Sequence, residues 1–140
     1  MSIALDHVGV LVRNIDETTV FYAKILGLKN AEKRVSRGLA FAQIPISKSS
    51  ALAIWEAPDV ACQHIAFAVS AEEFDAIFQR NRDAGVRYGN STDGFGATSN
   101  LSGESLNMKG PDVGGGARGS GSSLYFEDPN GHSIEIMTYD

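Results

Sequence analysis

The chain has 140 residues and a mass of 14.9 kDa, with 43% apolar and 21% charged residues and a mean hydropathy of −0.11. That suits a single domain with a real core rather than a disordered chain, and no apolar run approaches the roughly 20 residues that cross a bilayer. Twelve basic residues stand against 17 acidic ones, net −5, with no Lys/Arg cluster to offset the balance, so nucleic acid and anionic membranes are poor partners.

In chain order, the first predicted element is a buried strand over residues 6–12, an apolar run that begins Asp6-His7. Asn14-Ile15-Asp16-Glu17 then resembles a capping box and opens a helix that stops at Gly27, with Ile15, Val20, Phe21, Ile25 and Leu26 marking its apolar face. Strands are expected near 33–36, 39–46 and 51–56, and Pro58 helps to end this unit. A second buried strand begins Gln63-His64, and Ser70-Ala71-Glu72-Glu73 caps a second helix, with Phe74, Ile77 and Phe78 on its face and a stop near Gly85. His64 lies 57 residues after His7 and Phe78 lies 57 after Phe21, so the chain reads as a duplicated β-α-β-β-β unit. A strand near 86–90 leads into residues 90–122, which hold nine of the 15 glycines and read as a long loop, with room for one short strand around Leu101–Met108. The chain closes with strands at Ser123–Phe126 and Ser133–Thr138 around a Pro129-Asn130-Gly131 turn. The fold class is α+β: a single domain over 1–140 built from modules of about 4–58 and 62–140 that form a curved mixed sheet around a cleft.

Alternation along the strands puts Val8, Val10 and Val12 on one face and His7, Gly9 and Leu11 on the other. The second copy repeats this with His64, Ala66 and Ala68. A very small residue therefore follows each histidine on its face and leaves room beside it. Glu135 sits between two isoleucines on the last strand, and a lone buried carboxylate is costly unless it is paired or bound to a cation. Tyr125 is as far before Asn130 as Glu135 is after it, so a hairpin makes them neighbours. Two imidazoles and a carboxylate have the chemistry of a facial metal triad with open positions. His132 is expected at the surface of its turn, Cys62 as a small buried thiol, and Glu56 either as a fourth ligand or as a solvated strand-end charge. The lone cysteine forms no intramolecular disulfide and the N-terminus lacks the features of an export signal, so a cytoplasmic location is expected.

Three stretches resemble the vicinal oxygen chelate superfamily, which includes glyoxalase I, extradiol dioxygenases, methylmalonyl-CoA epimerase, and fosfomycin- and bleomycin-resistance proteins. LDHVGVLVRNIDETTVFYAKILGLK (5–29) is similar to the family's opening βα unit, HIAFAVSAEEFDAIFQRNRDAGV (64–86) to the second, and YFEDPNGHSIEI (125–136) to its closing hairpin. The resemblance implies a glyoxalase-like fold and one divalent metal ion (Fe, Mn, Zn, Ni or Co) held by His7, His64 and Glu135. It also implies a small-molecule substrate that chelates through adjacent oxygens. On this reading Tyr125 donates a hydrogen bond to bound oxygen, and Glu135 or Glu56 moves a proton. The branch lies between a glyoxalase-type lyase or isomerase and a ring-cleaving dioxygenase. Gly116, Ala117 and Arg118 occupy the window where dioxygenases carry a further histidine, and Gly9 stands where fosfomycin enzymes carry threonine. The alternative is a metal-free binding or sequestering protein of the bleomycin-resistance kind. A homodimer is expected, with the modules paired within one chain or swapped between two. Residues 90–122 are expected to act as a lid, with Phe95, Leu101 or Met108 covering substrate and Arg118 open to an anionic group.

Overall fold

The structure is a computed structural model that describes residues 2–90 and 106–140. It divides into two units, Met1–Ala61 and Cys62–Asp140.

The first unit runs β1 (His7–Val12), α1 (Ile15–Leu26), β2 (Arg34–Ser36), β3 (Leu39–Pro45) and β4 (Ala51–Glu56). Its sheet has the order β1-β4-β3-β2; β1 and β4 are parallel and the other pairs antiparallel. The Asn14 side chain accepts the Glu17 amide at 2.8 Å and starts α1, and Gly27 at φ 72° ends it in the left-handed conformation that glycine adopts freely. The buried face of α1 differs from the expected one. Ile15, Thr18, Thr19, Tyr22, Ile25 and Leu26 are buried, whereas Val20 is 55% exposed and Phe21 only half-buried. The helical period passes through the two threonines, whose hydroxyls are satisfied by the carbonyls of Asn14 and Asp16 and so enter the core at little cost. Val10, Val12, Ile44 and Ile54 pack beneath the helix as the core of this unit.

The second unit runs β5 (His64–Ala68), α2 (Ala71–Asp83), β6 (Tyr88–Gly89), β7 (Asp112–Gly116), β8 (Gly119–Glu127) and β9 (Ser133–Thr138). β5 and β9 are parallel, β8 and β9 antiparallel, and β6 and β7 both pair with β8. The expected duplication is therefore visible in topology: in each unit the strand before the helix pairs in parallel with the last strand. Ser70 caps α2 through the Glu73 amide, and Phe74 and Ile77 face a core that contains Leu124, Phe126, Ile134 and Ile136. No helix among the described residues is long and apolar enough to cross a membrane.

Two expectations are corrected here. Residues 112–122 are a hairpin rather than a loop, and β8 starts at Gly119, four residues before the expected Ser123. The glycines permit close approach rather than mobility: a Cβ on Gly116 would lie 2.6 Å from the Met137 sulfur, and one on Gly121 would lie 2.5 Å from the Thr138 carbonyl oxygen. Arg118 is exposed and its guanidinium lies 4.2 Å over the Tyr139 ring. Met108 is fixed by its amide on the Tyr88 carbonyl at 2.8 Å, and Phe95 and Leu101 lie outside the described residues. His132 is fully buried rather than at the surface, because its Nδ1 accepts the Gln63 amide at 3.0 Å and Asp128 holds its own amide.

Glu127, at the end of β8, yields a stability prediction. Burial, aided by the charge of Asp128, pushes its carboxyl up from 4.5 to about 7, and its Oε2 has no hydrogen-bond partner among the described residues. A carboxyl raised on folding stabilises the protein most at low pH, and that contribution is lost as pH rises from about 4.5 to about 7. Urea titrations should show Glu127→Gln losing less stability than the parent between pH 5 and pH 8; equal losses would contradict this.

Candidate metal centre

Glu135 lies on the face of the second unit's sheet opposite the one that carries Ile134 and Ile136. Register places Ala66 and Tyr125 on either side of it, with His64 beside Ser133 one row away. The Glu135 carboxylate is 4% exposed. The Ser123 hydroxyl donates to its Oε2 at 2.7 Å, and His64 Nε2 lies 3.1 Å from its Oε1. Tyr125 also donates to Glu135, and its hydroxyl is held above the usual tyrosine range by burial first, then by the Glu135 charge and that hydrogen bond. The His64 and Tyr125 rings stack with centroids 6.1 Å apart. The hairpin neighbours expected from the turn are thus partners in register.

The orientation of His64 is informative. Its Nδ1 lies 3.1 Å from the Ser133 carbonyl oxygen and 3.3 Å from the Ser133 hydroxyl, so the far edge of the ring turns its Nε2 toward Glu135. A ring nitrogen and a carboxylate oxygen 3.1 Å apart are held together by a proton or a cation between them. Their spacing matches the edge between adjacent ligands of an octahedral ion, since two bonds of about 2.1 Å at right angles set their ends about 3 Å apart. The residues present therefore fit a divalent ion.

In the first unit His7 lies on the face of β1 opposite the helix, beside Gly9, where an added Cβ would meet nothing within 4 Å. Its Nδ1 lies 2.7 Å from the Asp6 carboxylate, which turns its Nε2 away from that contact. Both repeat-matched histidines thus carry the orienting contact typical of metal ligands. Within each unit, among the described residues, no three His, Cys, Asp or Glu side chains form a metal cluster.

Glu56 is a correction. It pairs with Val12 and so lies on the helix side of the sheet, the face opposite His7. Its Oε1 accepts the Ile15 amide at 3.1 Å and lies 3.5 Å from Lys33 Nζ. It serves the N-terminus of α1, where a carboxylate satisfies an unpaired amide and the helix dipole. The structure therefore supports neither a ligand role nor proton transfer for Glu56. Glu56→Ala should cost about 0.5–2 kcal/mol of stability and leave metal content unchanged, as measured by denaturation and metal analysis of one preparation. Metal loss from this variant would restore Glu56 to the ligand set.

Sequence reasoning missed three supporting residues. Asp6 carried a signal, since it directly precedes His7. Ser123 carried only its parity with Tyr125. Gly114 carried none: a Cβ there would sit 2.2 Å from Ser123 Oγ and 3.5 Å from Glu135 Oε2, so only glycine leaves the space that the serine needs. Cys62 is half-buried and donates to the Gly131 carbonyl, which ties β5 to the turn.

Comparison with known proteins identifies the chain's relatives. A family model described as Glyoxalase/Bleomycin resistance protein/Dioxygenase superfamily matches residues 4–136. Among solved structures, the oxidase ChaP-H2 is similar at 29% identity and a TM-score of 0.74, covering 100% of this chain and 96% of that one. An integron cassette protein from the mobile metagenome of V. cholerae matches at 26% identity and 0.71, covering 100% and 98%. The fosfomycin resistance protein FosX from Listeria monocytogenes shares the fold at 23% identity and 0.65, covering 100% and 96%. No curated protein matches the chain. With the α+β fold, the duplicated topology and the motif residues in place, the chain belongs to the glyoxalase/bleomycin resistance protein/dioxygenase superfamily.

Proposed function

We propose that this protein is a metal-dependent enzyme of glyoxalase or dioxygenase type acting on a small substrate with adjacent oxygens. His64 and Glu135 would hold one divalent ion, with His7 as the third protein ligand, supplied by the same chain or by a second copy in a homodimer. The observation that carries the reading is His64 Nε2 held 3.1 Å from Glu135 Oε1 while its Nδ1 rests on Ser133, with His7 Nδ1 likewise turned to Asp6. When bound, the ion would supply Lewis-acid polarisation of a substrate oxygen.

The rest falls to the chain's own groups. Ser123 holds Glu135 Oε2, which aims Oε1 at His64 Nε2. Tyr125 Oη keeps its proton through the neutral range, so it remains a donor and can turn from Glu135 to a substrate oxygen. Ala66 and Gly9 leave space on the two faces. The test is to strip the protein with a chelator, restore Fe, Mn, Co, Ni or Zn singly, and assay α-ketoaldehyde hemithioacetals and dihydroxyaromatic compounds. Turnover that returns with one metal supports the reading. Ligand binding that is indifferent to metal, with no turnover, would favour the sequestering alternative.

A further inference from the structure

We infer that Glu127 is the proton acceptor of the proposed centre, taking the hydroxyl proton of a bound substrate; this deepens, and rests on, the functional reading above. That reading needs a group that moves a proton, and Glu56 is turned instead to the N-terminus of α1. Two ionisable groups on the face that carries Glu135 are committed elsewhere. Glu135 itself holds the Ser123 hydroxyl and faces His64. Tyr125 keeps its proton, because burial and the Glu135 charge hold its hydroxyl above the usual range. Glu127 lies on this same face. Register sets Glu127, Ser133 and His64 in one row across β8, β9 and β5, and Tyr125, Glu135 and Ala66 in the next. Glu127 is therefore two strand spacings, about 10 Å, from His64 along its row, with Tyr125 beside it on its own strand. Ser133, the small residue between them, turns its hydroxyl to His64 Nδ1 at 3.3 Å.

The surroundings of Glu127 make it a base suited to neutral pH. Its Oε2 is buried and has no hydrogen-bond partner among the described residues. A charge there is poorly solvated, and the neighbouring Asp128 charge adds to the cost, so the carboxyl is pushed up to about 7. The other charges nearby are engaged elsewhere. Asp128 holds the Asn130 and His132 amides. Arg87, the residue before β6, donates to the Leu106 carbonyl at 3.1 Å, and Asp112 on β7 is exposed and holds the Val113 amide. In the transfer, the substrate O–H bond breaks, its electron pair stays on the substrate oxygen, and the proton forms an O–H bond on the Glu127 carboxylate. That step removes a buried charge, so ionising the substrate also relieves Glu127. A glutamate of ordinary strength would be a far weaker base for the exchange.

Acetohydroxamic acid is the probe, because it chelates through adjacent oxygens and loses one hydroxyl proton when it does so. It is titrated by calorimetry into zinc-loaded parent, Glu127→Gln and, as a control on the same face, Asp112→Asn. Buffers of different ionisation enthalpy then count the protons released. At pH 8 the parent and Asp112→Asn should release almost none, and Glu127→Gln about one per probe bound. At pH 6, where Glu127 already carries its proton, all three should release about one. Infrared difference spectra at pH 8 should show a carboxylic acid band appearing on binding in the parent and not in Glu127→Gln. With a substrate that is turned over, Glu127→Gln should lower kcat roughly 100-fold and flatten the acid limb of the pH profile, at unchanged zinc content. Equal proton counts in parent and Glu127→Gln at pH 8, with zinc and probe bound, overturn the inference and leave the metal reading standing. A parent that holds no zinc, or holds zinc and does not bind the probe, contradicts the functional reading, and the inference falls with it.

Discussion

Glu135→Gln should lower affinity for divalent ions by more than 100-fold while the metal-free protein melts at the parent temperature or slightly above it. The amide keeps the shape of the carboxylate and still accepts from the Ser123 hydroxyl, now 2.7 Å from Oε2, so packing in β8 and β9 is preserved. What it loses is the charge that a cation needs, and a ligand lost outright should cost more than the roughly 10–100-fold typical of an outer-shell partner. Folding loses less, because a 4%-exposed carboxylate is expensive to desolvate and the neutral amide that replaces it is much less so. Equilibrium dialysis and scanning calorimetry on the two proteins check both halves. A large drop in melting temperature with unchanged metal content would mean that Glu135 is a structural pair for His64 and nothing more.

A paired glycine substitution should separate the hairpin's role at the site from its role in the fold. Gly114→Ala places a Cβ 2.2 Å from Ser123 Oγ and 2.8 Å from Ser123 Cβ, so rotating the hydroxyl away does not relieve the clash and the strands must move. Overpacking of this kind costs about 1–3 kcal/mol, and the displaced serine no longer aims Glu135, so metal affinity falls as well. At the next residue, Gly115→Ala meets nothing within 4 Å and should change stability by less than about 1 kcal/mol without touching metal affinity. Urea denaturation and metal titration of the two variants test this. Equal behaviour would show that β7 does not constrain the site.

Much of this was legible from periodicity. The two histidine strands, both helix caps, the 51–56 strand and the Tyr125–Glu135 pairing all follow from residue pattern and turn chemistry, which act locally. Where expectation failed, the deciding contact was distant in sequence. Glu56 looks like a free strand-end carboxylate until β4 lies parallel to β1 and brings it to the Ile15 amide, 41 residues away. The Gly-rich hairpin looks like a loop because glycine's use in close packing and its use in flexibility are the same letter; only Met137, Thr138 and Ser123 on the facing strands tell them apart. His132 appears exposed in any turn, and is buried because the Gln63 amide needs an acceptor there. Val20 and Phe21 look more apolar than Thr18 and Thr19 in a sequence, because hydroxyls satisfied within their own helix turn carry no apolar signal.

The central claim is that His64, Glu135 and His7 are ligands to one divalent ion. X-ray absorption of the zinc-loaded protein, with zinc counted per chain, tests it directly, since outer-shell scattering from imidazole rings counts histidine ligands. The account predicts one tightly held zinc per chain with two imidazoles and oxygen donors in its first shell, falling to one imidazole in both His7→Ala and His64→Ala. A zinc shell without imidazole, or a chain that holds no zinc after dialysis, would contradict it.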